Sequence, residues 1–473
     1  MRLLITALAL SLLSGCAQNP VSGQTDFVMM SEEQEIAIGR QYNEQVIKKQ
    51  YQVYESKALQ DYVDRVGQKL AKKSHRPHLQ YHFTVLDSPE VNAFALPGGY
   101  VYITRGIMAY LNSEAELAAV VGHEIGHVTA RHGVRQQSAA QAANIGLTIV
   151  SIFVPEINSM GGQNLTNLIG GALLSGYGRE QELEADRLGA QYLARADYDP
   201  QAIISVLRVL KNQELEDERL AKQEGREPRR YSGLFATHPD NDTRLKEVVG
   251  EADKLAPAAP FEGRSEFLAA TDGLIFGDNS DQGVVRNNRF HHAELGIALQ
   301  FPEAWRVHNL PTALVAFSPG GEARLQLKMD QKPRGSPVEY ARRMMGYGTQ
   351  VRSLEINGLP AALIDAPDSV GGVIYLNKKA FILQGQGKTS QALAAHRNAI
   401  IDTLHSFHAL TAEERKRYRP LSVRAITARQ GDTYAGLAQG SPLGKSAESY
   451  LRLINAQYPD GEPQVGQRIK IVE

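Results

Sequence analysis

Residues 123–127 of this chain read His-Glu-Ile-Gly-His. Two histidines separated by four positions lie on one face of an α-helix, which makes one turn every ~3.6 residues, so both imidazoles can bind the same metal ion. Glu124 follows the first histidine, and its carboxylate can take a proton from a metal-bound water. The chain holds 13 histidines, and the pattern is expected by chance in roughly 2% of such chains. We therefore interpret the pentapeptide as a zinc site.

The flanking sequence predicts the helix that this interpretation needs. Ser113 and Glu116 have the spacing of a capping box, which marks a helix start. Apolar residues then recur at helical spacing; they are Leu117, Val120, Val121, Ile125 and Val128. The two histidines would thus lie on a rigid and partly buried element, as a metal site requires.

A catalytic zinc site uses three protein ligands and a water, so one protein ligand is still missing. The pattern HExxHxxGxxH is excluded, because Ala130 and Gly133 occupy its two remaining positions. His132 is a candidate, but on a continuous helix it lies about half a turn away from His123. A position at the surface or behind the ligands is favoured for His132 over metal binding.

An acidic stretch supplies the other candidates for the third ligand. Between residues 179 and 189, Glu182 and Asp186 are four positions apart, and so are Glu180 and Glu184. Each pair shares one face of a helix, and the spacing alone does not choose between the pairs. The ordinary alternative is a solvated acidic helix.

The motif His-Glu-Ile-Gly-His followed by Glu-Leu-Glu-Ala-Asp resembles the gluzincin metallopeptidases of peptidase family M48, which include HtpX, the CAAX prenyl endopeptidases and BepA. Their second motif is E-x-x-A-D, in which the glutamate binds zinc and the aspartate orients a ligand. The resemblance implies that Glu182 is the third ligand of one Zn²⁺ per chain and that Asp186 is the orienting carboxylate. It also implies a mainly α-helical zincin domain of the α+β class.

A second stretch matches the same family just before the metal motif. It runs to Gly99 and starts with Asn92, Ala93, Phe94 and Ala95. The strand predicted at Tyr100–Thr104 follows it. Because zinc peptidases commonly hold substrate by main-chain pairing to an edge strand near the metal, we interpret this stretch as the substrate strand. An ordinary turn and strand is the alternative.

His238 lies in a further family element, Thr237-His238-Pro239. The resemblance allows two roles for it. Its imidazole can donate a hydrogen bond to the transition state, or it can occupy the open position of zinc and hold the enzyme latent. A purely structural histidine is the third alternative.

The N-terminus resembles a bacterial lipoprotein signal. An apolar run from residue 3 to residue 13 is too short to span a bilayer, and Leu13-Ser14-Gly15-Cys16 resembles a lipobox. Cys16 is the single cysteine of the chain, so we expect it to carry lipid rather than to form a disulfide. Ala17 follows it, which favours the inner leaflet of the outer membrane, facing the periplasm.

Charge and hydropathy limit the possible partners. The net charge of −1 gives no sign of a nucleic-acid partner. The most apolar segment after residue 16 is 145–154, between the two metal motifs, and Pro155 ends it. It is too short to cross a membrane, so we predict a helix–loop–helix that is either a lid or a core hairpin.

The chain divides into several predicted parts, and all ranges here are expectations. Residues 1–16 are the signal peptide, 17–255 the peptidase domain, and 256–263 a linker rich in proline and alanine. Residues 264–412 alternate short strands and helices. They resemble a PsbP/Mog1-like α/β sandwich with Trp305 in its core, and they contain no catalytic constellation.

The C-terminal residues 421–473 resemble a LysM module with the order strand, helix, helix, strand. The resemblance lies in Gly431-Asp432-Thr433, Leu453-Ile454-Asn455 and Val465-Gly466-Gln467. It implies that peptidoglycan is a partner.

These observations predict a periplasmic zinc endopeptidase in which Glu124 is the general base. The resemblance implies misfolded or misassembled envelope proteins as substrates. The alternative is a latent or non-proteolytic zinc-binding scaffold or chaperone of the envelope. Glu124 argues against that alternative, because a structural zinc site needs no base.

Overall fold

The computed structural model describes residues 16–28, 30–145, 177–224, 257–279, 282–286, 288–310, 313–345 and 349–473, together with 238, 244, 247, 252, 254 and 255. The predicted signal peptide, apart from Cys16, and most of the predicted helix–loop–helix lie outside these residues. The chain forms two compact units. The first contains Met1–Phe276 and Ser422–Glu473, and the second contains Gly277–Leu421.

The first unit is mainly helical, as predicted. Its helices before the second unit are Glu32–Tyr42, Asn43–Ile47 (a π-helix), Lys48–Gln50, Lys57–Ala71, Arg105–Tyr110, Glu114–Thr129, His132–Ile145, Arg179–Arg195, Ala202–Glu224 and Arg264–Ala270. Helical spacing in the sequence predicts helices at 31–50, 57–74, 113–137, 179–195 and 200–222, and all of these except 113–137 agree with this list to within a few residues. The short helix Arg105–Tyr110 was not predicted.

Two helices carry the metal motifs. The metal helix, Glu114–Thr129, contains residues 123–127, and all 16 of its residues are buried. Its start agrees with the predicted cap, since Ser113 Oγ accepts a hydrogen bond from the Glu116 N–H at 3.1 Å. The acidic helix, Arg179–Arg195, packs against it.

The predicted single helix over 113–137 is wrong, because Arg131 ends it. Arg131 has a φ of 56°, in the left-handed region that breaks a right-handed helix. Its guanidinium donates to Glu35 Oε2 at 2.8 Å and to the Met30 carbonyl at 3.0 Å. These bonds fix the break, and a second helix begins at His132.

A small sheet lies beside the metal helix. Its central strand, Tyr100–Thr104, pairs in parallel with His82–Leu86 and antiparallel with Ala93–Leu96. The edge strand next to the metal helix is therefore Ala93–Leu96, and Tyr100–Thr104 is not an edge. A further two-stranded sheet joins Cys16–Gln18 to Thr25–Phe27.

The second unit contains an antiparallel sheet of seven strands. In spatial order they are Arg306–Leu310, Ala313–Phe317, Ala323–Asp330, Lys379–Gly387, Val370–Leu376, Leu359–Asp365 and Gln350–Ile356. Helix Ser390–Ser406 packs on one face and helix Pro337–Met345 on the other. Trp305 is buried among the core residues of this unit, as predicted.

A second sheet and a short helix complete this unit. The four strands are His408–Ala409, Ile297–Gln300, Arg289–His292 and Val284–Arg286, and the helix is Ala412–Arg417.

The C-terminal residues have the predicted order of elements. Strand Leu421–Thr427 is followed by helices Tyr434–Ala438 and Ala447–Ile454 and by strand Arg468–Val472. The two strands pair antiparallel, and strand Ile275–Phe276 extends their sheet. This module belongs to the same compact unit as the metal helix.

The boundary between the units differs from the predicted one. In the predicted linker, the Glu262 carbonyl accepts a hydrogen bond from Ala115 N–H at 2.9 Å, and Phe261 N–H donates to the Asp197 carbonyl at 2.9 Å. Helix Arg264–Ala270 buries Phe267 completely. These residues belong to the first unit, so the second unit begins at Gly277 rather than at residue 264.

Among the helices of the described ranges, none is long and apolar enough to cross a membrane.

Candidate metal centre

The structure brings four buried side chains together. His123, His127, Glu182 and His238 each offer a ligand atom, and these atoms lie within 4.8 Å of one another. His123 Nε2 is 3.0 Å from His127 Nε2, and each of these atoms is 3.5 Å from a carboxylate oxygen of Glu182. A tetrahedral zinc ion with bonds of ~2.0–2.2 Å requires ligand atoms at about these separations. The two imidazoles and the carboxylate therefore fit Zn²⁺.

The acidic helix resolves the choice that spacing left open. Glu182 and Asp186 are buried and face the metal helix, whereas Glu180 is exposed. Glu184 is partly exposed and contacts His132 instead of the ligand cluster. The pair Glu182 and Asp186 is thus the one that lies against the histidines.

Asp186 orients the first histidine. Its Oδ1 is 2.8 Å from His123 Nδ1, which leaves His123 Nε2 to face the cluster. Arg244 donates to both Asp186 oxygens at 2.7 Å. Burial alone would raise the pKa of the Asp186 carboxyl, but Arg244 and His123 hold it well below its usual range. Asp186 therefore stays a carboxylate that accepts the proton of His123 Nδ1.

Glu124 is placed to act on a water. Its side chain is buried, and Oε1 lies 3.4 Å from His238 Nε2. Among the described residues, Oε2 has no hydrogen-bond partner. Burial raises the pKa of the Glu124 carboxyl. An unpartnered carboxylate oxygen with a raised pKa is suited to take and return a proton.

His238 lies inside the cluster rather than at its border. Its Nδ1 is 3.0 Å from Glu182 Oε1 and 3.2 Å from His123 Nε2. Burial lowers the pKa of His238, but the carboxylates of Glu182 and Glu124 outweigh this and raise it. The position is compatible with both predicted roles, a hydrogen-bond donor and a fourth ligand.

Two residues of the site were not identified from the sequence. Tyr177 stacks on the His127 ring with centroids 4.0 Å apart and planes inclined by 18°. Arg244 follows His238 in the chain, and its contacts with Asp186 were not expected from the sequence. His132 is buried, but it contacts the back of His127 and does not join the ligand cluster.

Two recesses adjoin the metal centre. One lies between the edge strand and the metal helix, and Ala95, Leu96, His127 and Tyr177 are among its walls. The other lies between the metal helix and helix Ala202–Glu224. Apolar side chains of the metal helix and of helix Ala202–Glu224 line it, together with Glu124 and His238.

Comparison with known proteins finds similarity to proteases over part of this chain. Residues 57–252 match Peptidase family M48. The "Beta-barrel assembly-enhancing protease" of Yersinia pestis is 28% identical over 333 residues, which are 66% of this chain and 65% of that protein. The protein of that name from Escherichia coli K12 is 30% identical over 294 residues, or 58% of each chain. This chain thus spans less than two thirds of these relatives.

Two further similarities concern other groups of proteins. The "Mitochondrial metalloendopeptidase OMA1" of Schizosaccharomyces pombe is 29% identical over 187 residues, which are 40% of this chain and 51% of that protein. The solved structure of PsbP from Synechocystis sp. PCC 6803 covers 26% of this chain and 91% of its own, at 12% identity and a TM-score of 0.22. That score is too low to support an argument about the fold.

Proposed function

We propose that the protein is a zinc-dependent endopeptidase of the bacterial envelope, because residues 57–252 match Peptidase family M48. One observation carries the proposal. A buried His-His-Glu cluster fits zinc, and one carboxylate oxygen of the adjacent Glu124 has no hydrogen-bond partner within the described ranges. A site that only stabilises a fold has no use for such a base.

Zinc held by His123, His127 and Glu182 would lower the pKa of a water and polarise the scissile carbonyl. Glu124 takes the proton of the attacking water and passes it to the leaving amine. Asp186 and Arg244 keep the His123 ring in the orientation that turns Nε2 to the cluster. As a hydrogen-bond donor, His238 would stabilise the negative charge on the carbonyl oxygen.

The substrate binds as an extended chain along the edge strand Ala93–Leu96. Among the described strands it pairs only with Tyr100–Thr104, so its other edge can pair with a peptide. Ala95 and Leu96 share a recess with His127. Asn92 to Ala95 thus remain the proposed substrate strand.

Substrates and location follow from the sequence signals and from the relatives. Lipid on Cys16 would tether the protein to the outer membrane on its periplasmic side. The LysM-like module at 421–473 would contact peptidoglycan. Two of the relatives are named for enhancing β-barrel assembly, which supports misfolded or misassembled envelope proteins as substrates.

A second candidate function has a specific observation in its favour. His238 is one of the four clustered side chains, so it can occupy the position that a catalytic water needs. The protein would then be a latent peptidase or a non-proteolytic scaffold. Casein cleavage by His238→Ala separates the possibilities. Activity above wild type supports a latch, and lost activity with retained zinc supports a donor.

Casein cleavage by the form that begins at Ala17 tests the main proposal, with bound zinc measured in parallel. We expect wild type to cleave and Glu124→Gln to bind zinc without cleaving. Glu180→Gln, on the exposed side of the acidic helix, is the matched control and should cleave like wild type. Equal cleavage by Glu124→Gln would contradict the assigned base. Failure of the zinc-bound wild type to cleave would favour the latent alternative.

A further inference from the structure

The two histidines of the metal helix are held from behind in different ways. His123 Nδ1 contacts a carboxylate directly, that of Asp186. His127 Nδ1 instead contacts a third imidazole, since it lies 2.8 Å from His132 Nδ1. We propose that His132 and Glu184 form a positioning pair that orients His127 and strengthens zinc binding. This inference rests on the proposed zinc peptidase function.

Only one arrangement of hydrogens fits these contacts. His127 directs Nε2 towards His123 and Glu182. A neutral imidazole that binds a metal through Nε2 carries its hydrogen on Nδ1. His127 Nδ1 therefore donates, and His132 Nδ1 accepts.

The position of the hydrogen on His132 follows from the same reasoning. Because His132 Nδ1 is an acceptor, its hydrogen lies on Nε2, which is 3.0 Å from Glu184 Oε2. Arg135 Nη1 donates to the same oxygen at 3.2 Å. Hydrogen bonds thus connect His127 to His132, His132 to Glu184, and Glu184 to the guanidinium of Arg135. Asp186 and Arg244 form the corresponding series behind His123.

The break at Arg131 makes this contact possible. On a continuous helix, a residue five positions after His127 points about 140° away from it. The left-handed backbone conformation of Arg131 changes the direction of the main chain. The next helix then begins at His132, whose ring lies beside that of His127. The side chain of His132 is 0% exposed. Water therefore does not compete for its two hydrogen bonds.

Outer partners of this kind raise the basicity of a ligating imidazole and fix its orientation. Their loss typically lowers metal affinity about 10- to 100-fold. Within the described part of the chain, the hydrogen bonds of His132 and Glu184 reach the ligands through His127 and include neither the proposed substrate strand nor Glu124. We therefore expect their effect to pass through His127.

The test measures the zinc dissociation constant of the full chain by competition with a chelator. His132→Leu removes the acceptor, and we expect zinc to bind about 10- to 100-fold more weakly. His132→Asn keeps an acceptor oxygen near the place of Nδ1 and should restore most of the affinity. Glu184→Gln removes the charge and should weaken binding, whereas exposed Glu180→Gln should not.

Two further measurements separate orientation from general damage. The visible absorption spectrum of the Co²⁺-substituted protein should change in His132→Leu and return towards wild type in His132→Asn. The double variant with Glu184→Gln should weaken zinc binding less than the sum of the single changes, because the two residues act in series.

Wild-type zinc affinity in His132→Leu would overturn the inference. If His132→Leu does not fold, Glu184→Gln decides, and unchanged zinc binding in that variant would overturn it. Failure of the proposed function is a distinct result, because wild type would then bind no zinc or would bind it without cleaving casein.

Discussion

Gly126 of the metal helix lies so close to Ala185 of the acidic helix that a Cβ at Gly126 would be 2.9 Å from the Ala185 carbonyl oxygen. Real Cβ atoms seldom approach a backbone oxygen so closely, so only glycine fits without movement. Ala185 lies immediately before Asp186, and Gly126 immediately before His127. The close approach of the two helices therefore places Glu182 and Asp186 against the two histidines.

Gly126→Ala should force these helices apart. We expect a loss of about 1–3 kcal/mol in the free energy of unfolding, as for other overpacked cores. We also expect weaker zinc binding, because Glu182 moves away from the histidines. Urea unfolding and chelator competition measure the two effects. The matched control is Gly440→Ala, since no atom lies within 4 Å of a Cβ at that position. Wild-type zinc affinity in Gly126→Ala would show that the close contact does not set the ligand geometry.

Asp186→Asn should weaken zinc binding about 10- to 100-fold, because the amide no longer holds His123 as a charged acceptor. It also removes the negative charge that pairs with the buried Arg244 guanidinium. Breaking a buried pair of this kind typically costs about 3–5 kcal/mol. Asn preserves the size of the side chain, so a change in packing does not explain the effect. Chelator competition and thermal unfolding of the zinc-free protein test the two consequences, with Glu180→Gln as the control. If the zinc affinity and the unfolding temperature both equal those of wild type, Asp186 does not orient His123.

The sequence predicted the centre of the site better than its surroundings. The histidines and Glu124 follow from helical spacing, and the family resemblance implied Glu182 and Asp186. For His132 the sequence favoured a position at the surface or behind the ligands and did not choose between them, because the spacing argument assumed a continuous helix. The turn at Arg131 depends on Glu35, which is distant in sequence. No local pattern contains that information.

The other differences between the predicted and the observed structure also come from contacts between residues distant in sequence. Tyr177 and Arg244 reach the site from segments without a strong local pattern, so only the tertiary structure reveals their contacts. The stretch before residue 264 has the composition of a linker, yet its main chain is hydrogen-bonded to Ala115 and Asp197. In the seven-stranded sheet of the second unit, runs of strand-forming residues predict five strands, at 313–317, 324–329, 361–365, 373–376 and 379–384. Strands Arg306–Leu310 and Gln350–Ile356 were not predicted.

Lys470 joins the C-terminal module to the peptidase domain. Its side chain is buried, and Nζ donates to the carbonyls of Ala109 and Leu111 at 2.8 and 2.6 Å. Lys470→Met should leave these two carbonyls unpaired, at a cost of about 1–3 kcal/mol per group. Lys445→Met, at an exposed position of the same module, is the control. We expect the first change alone to lower the unfolding temperature of the zinc-free protein. Equal unfolding temperatures for the two variants would mean that the Lys470 contact does not stabilise the first unit.

His291 of the second unit should make its stability depend on pH. Its ring stacks on Tyr418 with centroids 3.5 Å apart. Neither ring nitrogen has a hydrogen-bond partner among the described residues. Burial lowers the pKa of His291 to about 4, and the charges of His408, Arg289 and Arg286 act in the same direction against that of Glu414.

The sign of this effect follows from proton binding. In the unfolded chain His291 titrates near its ordinary pKa of ~6.5. Between about pH 6.5 and pH 4 the unfolded chain therefore binds a proton that the folded unit does not bind. The free energy of unfolding should fall as the pH is lowered through this window and should be restored as the pH rises.

Trp305, the single tryptophan of the chain, reports this unit selectively, because it lies in the core of the second unit. Urea unfolding followed by its fluorescence at pH 7 and pH 5 measures the change. Midpoints should be compared rather than intensities, since the His396 ring is 5.5 Å from Trp305 and can quench its emission. His291→Phe keeps an aromatic ring for stacking on Tyr418 but cannot bind a proton. We expect wild type to lose more stability than this variant on acidification, and equal losses would exclude His291 as the cause.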